Sequence, residues 1–282
     1  MPSTIETLAF HGQPALRLQT AAGASAVVLL HGAQLVSWSP PGGNERIFLS
    51  ERAIYDGSTP VRGGIPVSFP QFAAFGPLPR HGFVRTMPWS IETQRHGDDF
   101  ALVTLRCTDT ASTRALWPHA FSAELTIGIE ESRLDLELEI GNPGPDAFDF
   151  AAALHTYLRV REVEETRIEG LYGLDYRDEV DEGRTRRDSG DVLLIEGETD
   201  RIYRDVSRPV LVREYDRALG VNQDGFRDIV VWNPWEARCA AIDDMQDADF
   251  RRMLCVESAV VHTPEHLEPG ASWWGRQTLI AL

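Results

Sequence analysis

Six side chains in this sequence are of types that bind polar substrates and transfer protons. They are two histidines, two arginines and two carboxyl residues: His81, His155, Arg62, Arg85, Asp200 and Glu257. Imidazole and carboxyl groups are common general acids and bases. Arginine offers a planar set of donors that suits sugar hydroxyls or phosphate oxygens. Together these groups could move protons on a bound polar or anionic molecule.

Glu257 lies in a predicted strand, residues 253–261, that is apolar on both faces. Its own face carries Met253, Cys255, Ala259 and Val261, and the opposite face carries Leu254, Val256 and Val260. A carboxylate in such a strand is costly to bury without a partner. Desolvation raises its pKa, which suits a general base near neutral pH. The alternative is a structural carboxylate bound to an arginine.

His155 lies in a predicted strand covering residues 148–161. One face of this strand is mainly apolar, and the other places Ala151 and Ala153 beside His155 and Tyr157. Two alanines next to these polar rings predict a hollow on the sheet face that admits a small polar ligand. The alternative is a histidine that is simply exposed on a solvated sheet face.

Residues 57–91 contain no Asp or Glu, in a chain with 43 acidic residues among 282. The chain-wide frequency would place about five acids there. Three arginines, His81 and six of the seventeen prolines fall in this stretch. Because proline fixes φ and cannot donate to a sheet ladder, we expect a stiff loop without regular structure. Its local positive charge predicts an anion site.

The sequence evidence is weaker for two of the candidate binding residues, Arg62 and Asp200. Arg62 is followed by Gly63 and Gly64. Paired glycines would let the backbone approach a ligand closely, although they also occur in ordinary turns. Asp200 follows Glu198 and Thr199, and by spacing alone we interpret it as a turn aspartate.

A metal site could be built from His81, His155 and Glu257, but no close-spaced pair of histidines supports it. The sequence also lacks a glycine-rich phosphate loop, a dinucleotide fingerprint, a zinc-protease motif and a serine nucleophile elbow. We therefore expect no metal site, and no cofactor-binding motif is recognised.

Composition narrows the class of protein. A formal net charge of −16 argues against nucleic acid or an anionic membrane as a partner, because both require a basic surface. Cys107, Cys239 and Cys255 are far apart in sequence and are expected to be reduced core cysteines. No signal-like N-terminus and no membrane-length apolar run is visible. We expect a cytoplasmic monomer.

The hydrophobic pattern has a period of two, which is typical of β-strands. Residues 125–129 and 134–140 alternate in this way around a short turn, so they predict a hairpin. Further strands are predicted at 26–30, 34–38, 89–94, 101–107, 148–161, 209–214, 229–233, 253–261 and 273–282.

No amphipathic helix of ten or more residues is evident, and the charged, glycine-containing stretch 175–191 is predicted to be a solvated loop. These patterns predict an all-β chain that forms one domain over residues 1–282. Its architecture would be a large antiparallel β-sandwich or a barrel.

Six short motifs follow one another along the chain. They are VRGGIP at 61–66, RHGFVR at 80–85, HTYLRV at 155–160, TDRIY at 199–203, VWNPW at 231–235 and CVE at 255–257. In this order they resemble the D-hexose-6-phosphate mutarotases, a branch of the aldose 1-epimerase (galactose mutarotase-like) family. The likeness extends from Gly32 to the final predicted strand.

The resemblance implies a large antiparallel β-sandwich with a sugar site in an open cleft and no cofactor. It implies that His155 is the catalytic acid and Glu257 the catalytic base. The substrate-binding residues that it implies are Arg62, His81, Arg85 and Asp200, with the two arginines holding a 6-phosphate. The implied activity is interconversion of the α and β anomers of a hexose 6-phosphate, as in glucose-6-phosphate 1-epimerase. Arg80 and the pair Ser258-Ala259 depart from the pattern of many relatives.

Two other functions are compatible with this scaffold. One is a sugar-binding protein without catalytic activity, against which the retained pair His155 and Glu257 argues. The other is a glycoside hydrolase or lyase, which needs a pair of carboxyl groups or an equivalent base at the scissile bond. In the sequence only Glu257 looks like a buried catalytic carboxylate.

Overall fold

Almost all the regular structure of this chain is β-strand. A computed structural model describes residues 2–282. Within this range there are two six-residue helices, α1 (Ala111–Leu116) and α2 (Trp235–Ala240). Single 3₁₀ turns occupy Val84–Thr86, Val163–Glu165 and Asp249–Arg251. The predictions of an all-β chain and of no helix of ten residues are confirmed. Neither helix approaches the length needed to cross a membrane.

The strands are numbered in chain order. The first eleven are β1 (Thr4–Phe10), β2 (Gln13–Gln19), β3 (Ser25–Leu29), β4 (Leu35–Ser39), β5 (Val67–Ser68), β6 (Ser90–His96), β7 (Ala101–Thr108), β8 (Ser122–Ile129), β9 (Arg133–Gly141), β10 (Phe148–Leu154) and β11 (Tyr157–Arg159). The next ten are β12 (Arg167–Glu169), β13 (Asp175–Asp178), β14 (Arg184–Arg187), β15 (Val192–Leu194), β16 (Thr199–Tyr203), β17 (Val210–Arg213), β18 (Ala218–Asp224), β19 (Asp228–Asn233), β20 (Met253–Leu267) and β21 (Ser272–Ala281).

These strands form three antiparallel sheets. Strands β1 to β4 make a four-stranded meander. An eight-stranded sheet has the order β14-β13-β16-β19-β20-β10-β5, with β11 also paired to β20. A nine-stranded sheet has the order β15-β12-β17-β18-β21-β9-β8-β7-β6. Side chains from the two large sheets share one apolar core, which includes Leu136 of β9 and Leu154 and Val256 of the eight-stranded sheet. The predicted antiparallel sandwich is confirmed.

The β8–β9 hairpin shows why the period-two pattern was informative. Leu125 pairs with Leu138 and Ile127 pairs with Leu136, and all four side chains are buried. Each such aliphatic side chain contributes about 1.5–3 kcal/mol when it is removed from water. The intervening residues face outward, so a shift of register by one residue would expose the whole apolar set.

Two predictions differ from the structure. The predicted strand 148–161 is interrupted after Leu154 and resumes at Tyr157. The predicted loop 175–191 instead contains the antiparallel hairpin β13–β14 at one end of the eight-stranded sheet. Strand β14 is exposed along its whole length, so it has no alternation of apolar and polar residues to reveal it. Charged side chains also protect such an edge strand from pairing with another chain.

Residues 57–91 form an irregular segment, as predicted. Up to Trp89 the only regular elements described there are the two-residue strand β5 and one 3₁₀ turn. Gly82 lies in this segment at φ +71°, next to His81 at φ +63°. A Cβ on Gly82 would collide with the backbone carbonyl of Phe69. Because it has no side chain, Gly82 allows its own segment of the loop to pack against the backbone of Phe69. This contact sets the position of the adjacent His81.

We expect the substitution Gly82→Ala to lower the free energy of unfolding by roughly 3 kcal/mol or more, because it adds a backbone collision to left-handed strain. Gly173 is a matched control, since its φ is +76° and a Cβ added there would have no other atom within 4 Å. Gly173→Ala should cost only about 1–2 kcal/mol. Urea unfolding of both variants measures the difference, and equal losses would contradict this role for Gly82.

Candidate active site

His155 and Glu257 face each other across neighbouring strands. Leu154 pairs with Ser258 at the end of β10, and Tyr157 pairs with Cys255 at the start of β11. The register is therefore the same on both sides of the interruption, which places His155 opposite Glu257. Side chains opposite each other in an antiparallel pair lie on the same face of the sheet.

The two side chains are close and almost fully buried. His155 Nδ1 lies 3.3 Å from Glu257 Oε1, and Glu257 is only 1% exposed. The ring nitrogen is not aligned for a hydrogen bond to the carboxyl group. Among residues 2–282, neither His155 Nδ1 nor Glu257 Oε2 has a hydrogen-bond partner. Buried polar atoms are normally paired, so these two atoms are available to a ligand.

A second row of side chains lies beside this pair on the same face. Tyr157 is opposite Cys255, which is opposite Trp232 on β19, which is opposite Asp200 on β16. The ring of His155 stacks on that of Tyr157 with centroids 4.8 Å apart. Asp200 is therefore a strand residue within the site, and its interpretation as a turn aspartate was wrong.

His81 approaches the pair from the proline-rich loop. Its ring centroid lies 5.1 Å from that of His155. The backbone N–H of Ala73 donates to His81 Nδ1 at 3.3 Å, and the Ser68 hydroxyl lies 3.2 Å from the same atom. Because Nδ1 is an acceptor, the proton of the neutral ring is on Nε2. His81 thus presents an N–H donor on its other side.

Arg62 is fixed by two partners. Its Nε donates to Asp244 Oδ1 at 3.0 Å, and its Nη1 donates to the Tyr157 hydroxyl at 3.1 Å. These contacts leave the Nη2 group of Arg62 without an assigned partner. The phenol oxygen and Asp244 hold the pKa of this guanidinium above its usual range despite burial. Asp244 lies far away in the chain, and no sequence signal marked it.

Arg85 is held by one contact. Its Nη2 donates to the carbonyl oxygen of Arg80 at 2.7 Å, while its buried Nε has no hydrogen-bond partner in the part of the chain that the structure describes. Burial, followed by repulsion from Arg62 and Arg80, lowers the pKa of Arg85 to about 10. Arg85 therefore stays charged at neutral pH and retains free donors.

All six residues predicted from the sequence line one cavity of about 430 Å³. This volume lies within the range of about 300–1,000 Å³ that is typical of small-molecule sites. Residues lining the cavity that were not proposed as functional include Phe72, Phe75, Tyr157, Glu179, Trp232, Arg238 and Ile242. Tyr157 and Trp232 could have been found from the HTYLRV and VWNPW motifs, whereas Glu179 lies in the hairpin predicted as a loop.

Two details of the predicted site were wrong. A Cβ on Gly63 would lie 2.5 Å from the carbonyl oxygen of Phe48, so this glycine permits close backbone packing rather than approach to a ligand. Ala153 does not line the cavity, and it packs with Phe72 and Ala73 in a small apolar cluster. The alanine face thus makes room for the loop that carries His81.

Known proteins resemble this chain in both sequence and fold. The family model described as aldose 1-epimerase matches residues 14–279. This chain belongs to the aldose 1-epimerase family. A Cenchrus ciliaris protein named "Putative glucose-6-phosphate 1-epimerase" is 34% identical over 94% of this chain and 84% of its own length. An Escherichia coli K12 protein of the same name is 30% identical over 82% of this chain and 78% of its own length.

The solved structures agree on the fold. A crystal structure from Salmonella typhimurium, described as a "putative mutarotase", aligns with a TM-score of 0.91. It covers 98% of this chain and 93% of its own, at 24% sequence identity. The mutarotase-like architecture expected from the resemblance is therefore confirmed.

Burial controls the electrostatics of the central pair in this family member. Desolvation raises the pKa of Glu257 well above its ordinary value, and the neighbouring Asp200 raises it further. Desolvation lowers the pKa of His155 well below its ordinary value, and Arg85 and Arg62 lower it further. Burial therefore favours the neutral form of each member of the pair.

Asp200 is the second perturbed carboxyl group in the cavity. Burial, together with the nearby Glu179, raises its pKa to about 6. The sequence had indicated only Glu257 as a buried carboxyl group at this site. Asp200 lies two strands away from Glu257, with β19 between their strands.

The ligand atoms of His155, Cys255 and Glu257 all lie within 4.8 Å of one another. This set differs from the metal site considered from the sequence, because it contains Cys255 in place of His81. Burial and the nearby Glu257 raise the pKa of the Cys255 thiol well above its ordinary value, which opposes formation of the thiolate that a metal needs. Arg62 and Arg85 add a further electrostatic barrier to a cation.

We expect the rings of His81 and His155 to remain neutral between about pH 6 and pH 8, because burial lowers both pKa values below 6.5. ¹⁵N-edited NMR of the ring nitrogens should show no titration for either ring and a proton on Nε2 of His81. The exposed His266 is an internal control, since the hydrogen bonds that its ring donates to Asp149 and Glu268 raise its pKa. Titration of His81 near pH 6.5 would contradict the assigned hydrogen-bond pattern.

Proposed function

We propose that this protein interconverts the α and β anomers of a hexose 6-phosphate, in the manner of a glucose-6-phosphate 1-epimerase. The observation that carries the proposal is the unpartnered pair His155 and Glu257, 3.3 Å apart, in a cavity that Arg62 and Arg85 also line. Membership of the aldose 1-epimerase family and the names of the two relatives support the same reaction.

Anomerisation needs one group to remove the proton of the C1 hydroxyl and another to protonate the ring oxygen. We assign the first role to the carboxylate of Glu257 and the second to the imidazolium of His155. The C1–O5 bond then breaks and leaves the open-chain aldehyde. Rotation about the C1–C2 bond followed by reclosure reverses both proton transfers and gives the other anomer.

The electrostatics of the pair favour this sequence of steps. Before ring opening, the reactive form has an ionised Glu257 and a protonated His155, which the neutral pair forms by transfer of the Glu257 proton to His155 across 3.3 Å. After ring opening, Glu257 has gained a proton and His155 has lost one, so both are neutral. Burial raises the pKa of Glu257 and lowers that of His155, which stabilises the neutral pair. Burial therefore favours the state in which the sugar is open and the pair is neutral over the state in which the sugar is closed and the pair is ionised. Reclosure of the ring regenerates the ion pair.

We assign the phosphate to the two arginines of the acid-poor loop. Arg62 and Arg85 each keep guanidinium donors that no described residue occupies. Charge-assisted bonds from such donors to phosphate oxygens are strong and orient the ligand. In a chain with net charge −16, this local positive charge is what would let an anionic substrate bind. Asp200 and the Nε2–H of His81 are assigned to sugar hydroxyls.

We expect Glu257→Gln to lower kcat for anomerisation by about 10²–10⁴-fold, because the amide cannot accept the proton. Binding of the sugar phosphate should change little, since the variant keeps the size and polarity of the side chain. Polarimetry or a coupled anomer-specific dehydrogenase assay measures the rate, and calorimetry measures the binding. Full activity in this variant would remove Glu257 from the mechanism.

We expect Arg85→Ala to raise KM for glucose 6-phosphate by about tenfold or more, because a charged hydrogen bond contributes roughly 1.5–3 kcal/mol. Turnover of free glucose and galactose should be little affected, since neither carries the phosphate. Arg213→Ala is the control, because this exposed arginine pairs with Glu169 outside the cavity. An equal effect on phosphorylated and free sugars would refute the phosphate assignment.

A further inference from the structure

We propose that Gln277 is a positioning residue for the proton-transfer pair. Its buried amide links the backbone segment that carries His155 to the segment that carries Glu257. The proposal depends on the proposed function only in treating His155 and Glu257 as the reacting pair.

Gln277 belongs to the other large sheet. It lies in β21 of the nine-stranded sheet, is fully buried, and faces the eight-stranded sheet across the core. Its Oε1 accepts a hydrogen bond from Thr156 Oγ1 at 2.5 Å. Its Nε2 lies 3.0 Å from Ser258 Oγ and 3.3 Å from the carbonyl oxygen of Val256, and donates to both. The amide therefore has a partner for each of its polar atoms.

The three partners are the immediate chain neighbours of the reacting residues. Thr156 follows His155, and Val256 and Ser258 flank Glu257. Successive side chains in a strand point to opposite faces of the sheet. When Gln277 holds these neighbours from the core side, it fixes the direction in which His155 and Glu257 point into the cavity.

The sheet needs such a link at this point, because its own hydrogen-bond ladder is incomplete there. In a regular antiparallel ladder the backbone N–H of Thr156 would donate to Val256, but here it donates back to Leu154, so one bond to β20 is missing. A single backbone bond, from Val256 N–H to Thr156 O at 3.1 Å, joins the interrupted segment to Glu257's strand. Gln277 adds cross-links where the ladder lacks them.

A buried amide is also unusual at the position of Gln277 if its role is only to pack in the core. The core between the two large sheets consists largely of aliphatic and aromatic side chains, such as Leu279 two residues further along β21. A polar side chain in such a core costs free energy unless all its hydrogen bonds are made. An aliphatic side chain would pack there without this requirement, so the amide is explained by what it holds in place.

The test compares Gln277→Met with Asn142→Leu. Gln277→Met keeps most of the side-chain volume and removes all three hydrogen bonds. Asn142 is a matched control, because it is also a buried amide that bridges two backbone segments, donating to the carbonyls of Asp146 and Leu267 outside the cavity. Both substitutions should lower the urea midpoint of unfolding.

Only Gln277→Met should lower kcat for glucose 6-phosphate, by about tenfold or more. KM should stay within about threefold of the wild-type value, because the proposed phosphate donors lie in the 57–91 loop. Unchanged kcat in folded Gln277→Met protein would overturn the proposal. So would a kcat loss matched by Asn142→Leu, or a loss that appears only in KM.

Thr156 gives a second test that does not depend on the folding of the Gln277 variant. Thr156→Val removes only the hydroxyl that donates to Gln277, while Thr156→Ser retains it. We expect Thr156→Val to lower kcat and Thr156→Ser to restore it. In a double-mutant cycle, Thr156→Val should add little to Gln277→Met. Independent, additive losses would overturn the linkage.

Failure of this proposal can be distinguished from failure of the proposed function. If the wild-type protein does not anomerise any hexose 6-phosphate, the proposed function is wrong. In that case the positioning role of Gln277 is tested by NMR of the His155 ring. Its ¹⁵N and ¹³C chemical shifts should change in Gln277→Met and not in Asn142→Leu. Unchanged His155 shifts in both variants would overturn the positioning role as well.

Discussion

The site depends on burying one imidazole and one carboxyl group side by side, with one polar atom of each left without a hydrogen-bond partner among residues 2–282. Such an arrangement is unfavourable for an ion pair, since desolvation of both charges offsets their attraction. It is favourable for the neutral forms, and the opposite pKa shifts of His155 and Glu257 follow directly from it. The surrounding sheet must therefore hold the two groups in position by its own rigidity, because they do not fix each other.

The two large sheets divide this task. The eight-stranded sheet presents the cavity on one face and contributes to the apolar core on the other. Its strand β10 is interrupted at the point where the histidine must turn toward the cavity. In the nine-stranded sheet, β21 pairs with β9 without interruption, and Gln277 of β21 makes a polar contact to the eight-stranded sheet. Both layers of the sandwich thus contribute to the apolar core, and both contact the backbone that carries the site.

Charge is distributed unevenly for a related reason. The chain has a net charge of −16, yet the loop that closes the cavity contributes arginines and no acids. One of them, Arg62, is nevertheless paired with Asp244 from a distant loop. That partner fixes the direction of the guanidinium and reduces the local excess of positive charge, while Arg85 remains free of acidic partners. The cavity is therefore lined by one arginine that has an acidic partner and by another, Arg85, that has no described one.

The β class, the main hairpin and the strands of the sandwich core could all be predicted from residue order, because alternation of apolar and polar residues directly records which face is buried. The six candidate site residues were predicted differently, through motifs whose order resembles one family, and the structure places all six at one cavity. The placement of His155 opposite Glu257 could not be, because cross-strand register depends on pairing between segments about 100 residues apart. The sequence also did not predict three other features: exposed edge strands such as β14, distant partners such as Asp244, and the buried amide of Gln277. Their roles arise from contacts that local residue patterns do not encode.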